Sequence, residues 1–165
     1  MAAPTLTSYS YDVVDGSLVL NFSENVDNPA LNGLQIFLYD LNDQLIDASD
    51  FYDGGVVSGH GTNQITWLPV EGYEWPDGSY YVTIADDALA DTDGNYFAGV
   101  SDNSTITFTV DTTAPTLLSS LDNNGDLELN FSEIVNGNPG LKIYIYNSND
   151  QLVASSDITQ GGIVS

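Results

Sequence analysis

The chain contains no cysteine and no arginine, and only one lysine (Lys142), one histidine (His60) and one methionine (Met1). Lack of cysteine removes disulfides, thiolate catalysis and cysteine-ligated zinc. A chain of this kind must be held by its core, by metal or by its neighbours. Scarcity of positive charge leaves 24 acids against one base, a formal net charge of −23 at pH 7. Phosphate backbones are bound through Lys and Arg, so nucleic acid is excluded as a partner, and an anionic membrane surface would repel the chain. No run approaches the ~18 apolar residues of a membrane span, so membrane insertion is not expected. Catalysis finds no support either. There is no His/Cys pair, no Ser-His-Asp order stands out, and among so many acids a pair of carboxylates arises by chance.

The acids themselves are biased, with 19 Asp and five Glu. Self-repulsion at this charge destabilises a compact state unless cations screen or bind it. The composition therefore suits a Ca²⁺-loaded extracellular protein, or a generally acidic surface adapted to salty water, and the two are compatible. Hydrophobic residues make up 42% of the 165, enough for a core.

The strongest organisational signal is internal repetition. Pro4-Thr-Leu, Leu18-Val-Leu-Asn-Phe-Ser-Glu24, Leu34-Gln-Ile-Phe-Leu-Tyr39, Asn42-Asp-Gln-Leu45 and Gly54-Gly-Val-Val-Ser58 occur in that order. Pro115-Thr-Leu, Leu127-Glu-Leu-Asn-Phe-Ser-Glu133, Leu141-Lys-Ile-Tyr-Ile-Tyr146, Asn149-Asp-Gln-Leu152 and Gly161-Gly-Ile-Val-Ser165 repeat them. The offset slides from 111 (Pro4 to Pro115) to 109 (Leu18 to Leu127) to 107 (Leu34 to Leu141), which two short deletions around Asp12–Gly16 and Asn28–Gly33 explain. Residues 59–111 have no counterpart in the second copy. The expected organisation is a complete module over 1–111 and the first half of a second over 112–165. Met1-Ala-Ala-Pro runs straight into the repeat, which reads as an initiator Met placed on a module boundary.

The pattern predicts an all-β fold. Leu18, Leu20 and Phe22 alternate with Val19, Asn21 and Ser23, and Tyr80–Ile84 and Ile106–Val110 alternate likewise. Leu34–Tyr39 is apolar throughout and suits a strand buried on both faces. Leu6–Tyr11, Leu45–Phe51 and Gln64–Leu68 are weaker strands, and Asp86–Asp91 suggests a short turn of helix. About seven short strands per module, separated by Gly- and Pro-containing turns, point to an immunoglobulin-like β-sandwich in tandem modules. The Cys-Trp-Cys core of antibody domains is absent, so only the architecture is implied. Asn21-Phe-Ser and Asn130-Phe-Ser fit a glycosylation acceptor pattern, but they recur as part of the strand and read as structure.

The Asp111-Thr-Thr-Ala-Pro115 joint, the Leu-Asn-Phe-Ser-Glu strand and Asp91-Thr-Asp-Gly-Asn95 ahead of a Thr-rich last strand resemble bacterial Ig-like repeats of large secreted adhesins and S-layer-type cell-surface proteins. The resemblance covers the first module and the first half of the second. It implies an extracellular or cell-surface spacer or adhesive repeat, commonly rigidified by Ca²⁺, with neighbouring modules of the same chain as partners. It does not imply a ligand.

Two metal candidates follow. Asp91, Asp93 and Asn95 occupy alternate positions of a turning loop and Asp102 falls at the twelfth, a spacing that supplies oxygen ligands for Ca²⁺. Tyr96 stands where an EF-hand needs Gly, so the segment is not an EF-hand, and an Asp-Gly turn with solvated carboxylates is the simpler reading. The second candidate is the joint, where Asp111, Glu24 and Glu133 are expected near module ends. Asp86-Asp87 is a further acidic pair. Tyr73-Glu-Trp75-Pro offers an aromatic platform for a sugar, against the plainer reading that aromatics pack the core. The half module would expose apolar strand faces such as Ile143 and Ile145 and open edges. Self-association through residues 115–165 by strand addition, as the subunit of a filament or sheet, is therefore an alternative to an adhesin-type array, and a carbohydrate-binding module is another.

Overall fold

The structure is a computed structural model and describes residues 2–29, 35–52, 56–68, 75–123 and 126–157. Two compact units divide at Thr112/Thr113. Every regular element among the described residues is a β-strand, and all pairing between strands is antiparallel.

The first unit has eight strands: β1 (Leu6–Tyr11), β2 (Leu18–Val26), β3 (Ile36–Asp40), β4 (Leu45–Ser49), β5 (Val57–Ser58), β6 (Thr62–Trp67), β7 (Gly78–Ile84) and β8 (Thr107–Val110). They form two four-stranded sheets, ordered β1-β2-β6-β5 and β4-β3-β7-β8. Alternation along each strand decides which face is buried. Leu18, Leu20 and Phe22 of β2 and Ile65 and Trp67 of β6 turn inward from the first sheet. Ile36 and Leu38 of β3 and Tyr80, Val82 and Ile84 of β7 do so from the second, and all join one apolar cluster. This arrangement is consistent with a β-sandwich. Polar contacts also cross between the sheets. The Trp67 indole N–H donates to Ser49 Oγ at 3.0 Å, and Tyr9 OH donates to the Thr107 carbonyl at 3.0 Å.

Three details depart from the sequence expectation. β3 is buried on one face only: Ile36 and Leu38 are inside, whereas Phe37 and Tyr39 are half-buried on the outer face. β2 continues two residues past Glu24, through an irregular stretch between Asn21 and Val26 where its pairing with β6 is interrupted. Residues 86–91 form a turn, not a helix. Ala88, Leu89 and Ala90 are buried in succession, which a single helical turn does not do, and Ala90 bridges to both Asp27 and Tyr96.

The second unit consists of two hairpins, β9 (Leu117–Asn123) with β10 (Asp126–Phe131) and β11 (Lys142–Tyr146) with β12 (Leu152–Asp157). They reproduce the geometry of β1–β2 and β3–β4. The bulge between Leu6 and Ser8 opposite Phe22 and Asn21 recurs at Leu117 and Ser119 opposite Phe131 and Asn130. Thr5 N donates to Ser23 Oγ at 3.0 Å, and Thr116 N to Ser132 Oγ at 3.0 Å. Asn21 Nδ2 donates to Ser8 Oγ at 3.2 Å, and Asn130 Nδ2 to Ser119 Oγ at 3.2 Å. Asp43 and Asp150, at the matching turns, share positive φ values of 60° and 58°.

Leu18 is fully buried and Val14 is 92% exposed. Leu18→Ala is expected to cost about 2–5 kcal/mol through lost burial and the cavity left behind. Val14→Ala should stay within about 0.5 kcal/mol. Urea unfolding followed by the fluorescence of Trp67 and Trp75, both in the first unit, measures this, and equal effects would contradict the assignment of the core.

Candidate functional site

Asp91, Asp93 and Asn95 lie together on one turn, and the structure explains why they do. Asp91 is 7% exposed. Its Oδ1 accepts the Asp93 amide at 2.9 Å and the Asn95 amide at 2.8 Å, and its Oδ2 accepts Asn95 Nδ2 at 2.8 Å. Backbone bonds from Asp91 N to the Asn95 carbonyl and from Gly94 N to the Asp91 carbonyl complete the turn, with Gly94 at φ +84°. A short carboxylate that reaches its own backbone two residues on is the usual stabiliser of such a turn. The Asn95 side chain and amide hold the Asp91 carboxyl below its ordinary range.

Asp102 staples a different turn. Its Oδ1 accepts the amides of Ser104 and Thr105 and the Ser104 hydroxyl, and its Oδ2 accepts the Thr105 hydroxyl, all at 2.7–2.8 Å. Those hydroxyls and amides, Ser104 first, depress its carboxyl well below the usual range. Asp111 is exposed after β8, Glu24 is half-buried within β2, and Glu133 is half-buried just after β10. Asp86 and Asp87 are both exposed. Among the described residues, no three His, Cys, Asp or Glu side chains gather as a metal site. The Asp91 carboxylate, expected as a metal ligand, instead accepts hydrogen bonds from its own turn in this structure.

Sequence reasoning did not anticipate a groove on the outer face of the second sheet, about 680 Å³ in volume. Phe37 and Tyr39 of β3 and Tyr81 and Thr83 of β7 form its floor. Tyr39 and Tyr81 are cross-strand partners whose rings stack 5.1 Å apart at 14°. Tyr81 OH donates to Asp43 Oδ1 at 2.8 Å, and that carboxylate pushes the phenol up to about 12. One wall is the segment Val100–Asn103, which crosses the end of β7 through the Ile84–Val100 bridge. Gly99 permits the crossing. It sits at φ +75°, and a Cβ there would lie 2.6 Å from the Ile84 carbonyl oxygen and 2.8 Å from the Asp86 nitrogen. The signal available in sequence was the unbroken apolar run of β3, whose outward residues need a cover or a ligand.

Tyr73 and Glu74 lie outside the described residues. Trp75 is 4% exposed and packs in the core against Tyr11, Trp67, Tyr80 and Phe108, so it offers no surface platform. Among the described residues, no helix is long and apolar enough to cross a membrane. Comparison with protein families, curated proteins and solved structures finds no match to this chain.

The depressed carboxyls of Asp91 and Asp102 contribute stability that is complete above the ordinary Asp value of about 4 and is lost as pH falls below it. Asp91→Asn should therefore melt below the parent at pH 7, with the gap narrowing below about pH 4. A gap that stays constant from pH 7 to pH 3 would show that the charge on Asp91 does not hold the turn.

Proposed function

We propose that the chain is a non-enzymatic structural repeat of a large secreted or cell-surface bacterial protein, built from Ig-like modules in tandem and serving as an extender or adhesion stalk. The observation that carries this reading is the recurrence of two hairpins in the second unit with the same bulges and several of the same side-chain bonds. Strand order adds support. In the first unit β1-β2-β6-β5 faces β4-β3-β7-β8, which corresponds to strands A-B-E-D opposite C-F-G with one added strand beside C. Asp77 Oδ1 accepts both the amide and the hydroxyl of Thr112 at 2.7 Å. Those two bonds tie the residue that ends the first unit back to the turn before β7.

Calcium belongs to this reading through the acidic turns and the net charge. An ion at Asp91, Asp93 and Asn95 would replace hydrogen bonds the turn now makes to itself. Extracellular modules bind Ca²⁺ at roughly 10⁻⁴–10⁻³ M, so about 10 mM Ca²⁺ should stabilise the chain by about 1.4–2.7 kcal/mol relative to EDTA. Calorimetry at matched ionic strength reads this as a higher Tm, and Asp93→Asn should remove the gain. An identical Tm in Ca²⁺ and EDTA would remove specific calcium from the proposal while leaving the structural reading intact.

A second reading, a subunit that assembles by strand addition, is favoured by one contrast. Leu18 and Leu38 are fully buried, whereas their counterparts Leu127 and Ile145 are 49% and 43% exposed. Light scattering on the purified chain separates the two readings. Concentration-dependent oligomers that Ile145→Glu disperses support assembly, and a monodisperse monomer removes it.

A further inference from the structure

We propose that the groove over β3 and β7 is a binding site for a neutral saccharide. The inference does not depend on the extender reading, because it rests on the groove alone. Phe37 and Tyr39 line its floor, with the Tyr39 ring stacked on that of Tyr81. Ring faces carry partial negative charge, and the C–H bonds of a sugar, polarised by their oxygens, pack against them. Around this floor stand neutral groups that both donate and accept hydrogen bonds: the hydroxyls of Tyr39, Thr83 and Ser101 and the amide of Asn103. An aromatic floor with neutral polar side chains along its margin suits a shallow, solvent-open saccharide site.

Charge narrows the ligand class. The chain's only Lys or Arg is Lys142, in the second unit, so anionic sugars meet no cation in the groove and a net negative field around it. The two carboxylates on the rim stay ionised while they accept hydrogen bonds from the chain, so a small organic cation is the competing occupant that the test must separate. Asp43 accepts the Tyr81 hydroxyl, and both oxygens of Asp102 are bonded within its own turn. The aromatic floor also has a counterpart: Phe37 and Tyr39 correspond to Tyr144 and Tyr146, which are 53% and 58% exposed. Val100–Asn103, which form the wall, belong to the first unit, and the proposed site is the groove of that unit.

The test is an array of neutral and acidic glycans probed with the full chain, followed by an NMR titration with the best neutral hit. Binding should be confined to neutral glycans and should shift the amides of Thr83, Ser101 and Asn103 saturably. Tyr39→Ala should weaken it about tenfold, while Tyr39→Phe, which keeps the ring, should retain most of it. Asn103→Ala, on the exposed rim, gives an independent variant should Tyr39→Ala fail to fold by circular dichroism. No binding to any neutral glycan, binding confined to acidic glycans, or binding unchanged in both Tyr39→Ala and Asn103→Ala overturns the proposal. So does a saturable response of the same amides to tetramethylammonium chloride without a response to sugars, which would make the groove a cation site.

Discussion

Everything in the first unit depends on the apolar seam where β2 and β6 meet β3 and β7. A chain with 24 acids and one base repels itself, and no disulfide restrains the unfolded state. The opposing force is burial. Leu18, Leu20, Ile36, Leu38, Ile65, Trp67 and Val82 are all fully buried, each removing apolar surface worth about 1.5–3 kcal/mol from water. The second sheet exists as a stable layer because this seam holds it. The outer-face groove, built on the backs of β3 and β7, inherits its rigidity from the same residues.

The acidity has a structural cause as well as an electrostatic cost. Asp12, Asp15, Asp40, Asp50, Asp91 and Asp102 each accept an amide two residues further along the chain. Asp is short enough to reach back to its own backbone and Glu is not, which gives six of the 19 Asp a structural role without reference to any ligand. The geometry that makes an Asp-rich turn resemble a calcium loop is the geometry that lets it close without one. Motif spacing alone does not separate the two, because in both cases alternate oxygens point toward the centre of the turn.

Local pattern made the strands legible. Period-two alternation located β2, β7 and β8, and repetition located the hairpins of the second unit. Legibility stopped where a feature depended on chain segments distant in sequence. Leu34–Tyr39 read as buried on both faces because Phe37 and Tyr39 are apolar. They are instead half-buried and line a groove shared with the segment Val100–Asn103, some 60 residues away and admitted by Gly99. The run Asp86–Asp91 read as helical because alanine and leucine favour helices. Bridges from Ala90 to Asp27 and Tyr96 override that preference. Trp75 read as a possible platform because its burial depends on Tyr11 and Phe108, from opposite ends of the module.

The two copies separate what local sequence determines from what partners determine. β1–β2 and β9–β10 share a bulge, a Thr–Ser clasp and an Asn–Ser bond. Asp40 and Asn147 close equivalent turns, each accepting two amides on one oxygen. Burial is not shared: Leu18 is fully buried and Leu127 is half exposed. Hairpin geometry therefore follows from turn residues and pairing within some 20 residues, whereas the core follows from β6 and β7, which pair with the outer edges of β2 and β3. A two-stranded hairpin alone is marginal in water. The hydrogen bonds that the second unit shares with the first therefore contribute register more than stability, since Leu127 and Ile145 bury much less surface than Leu18 and Leu38.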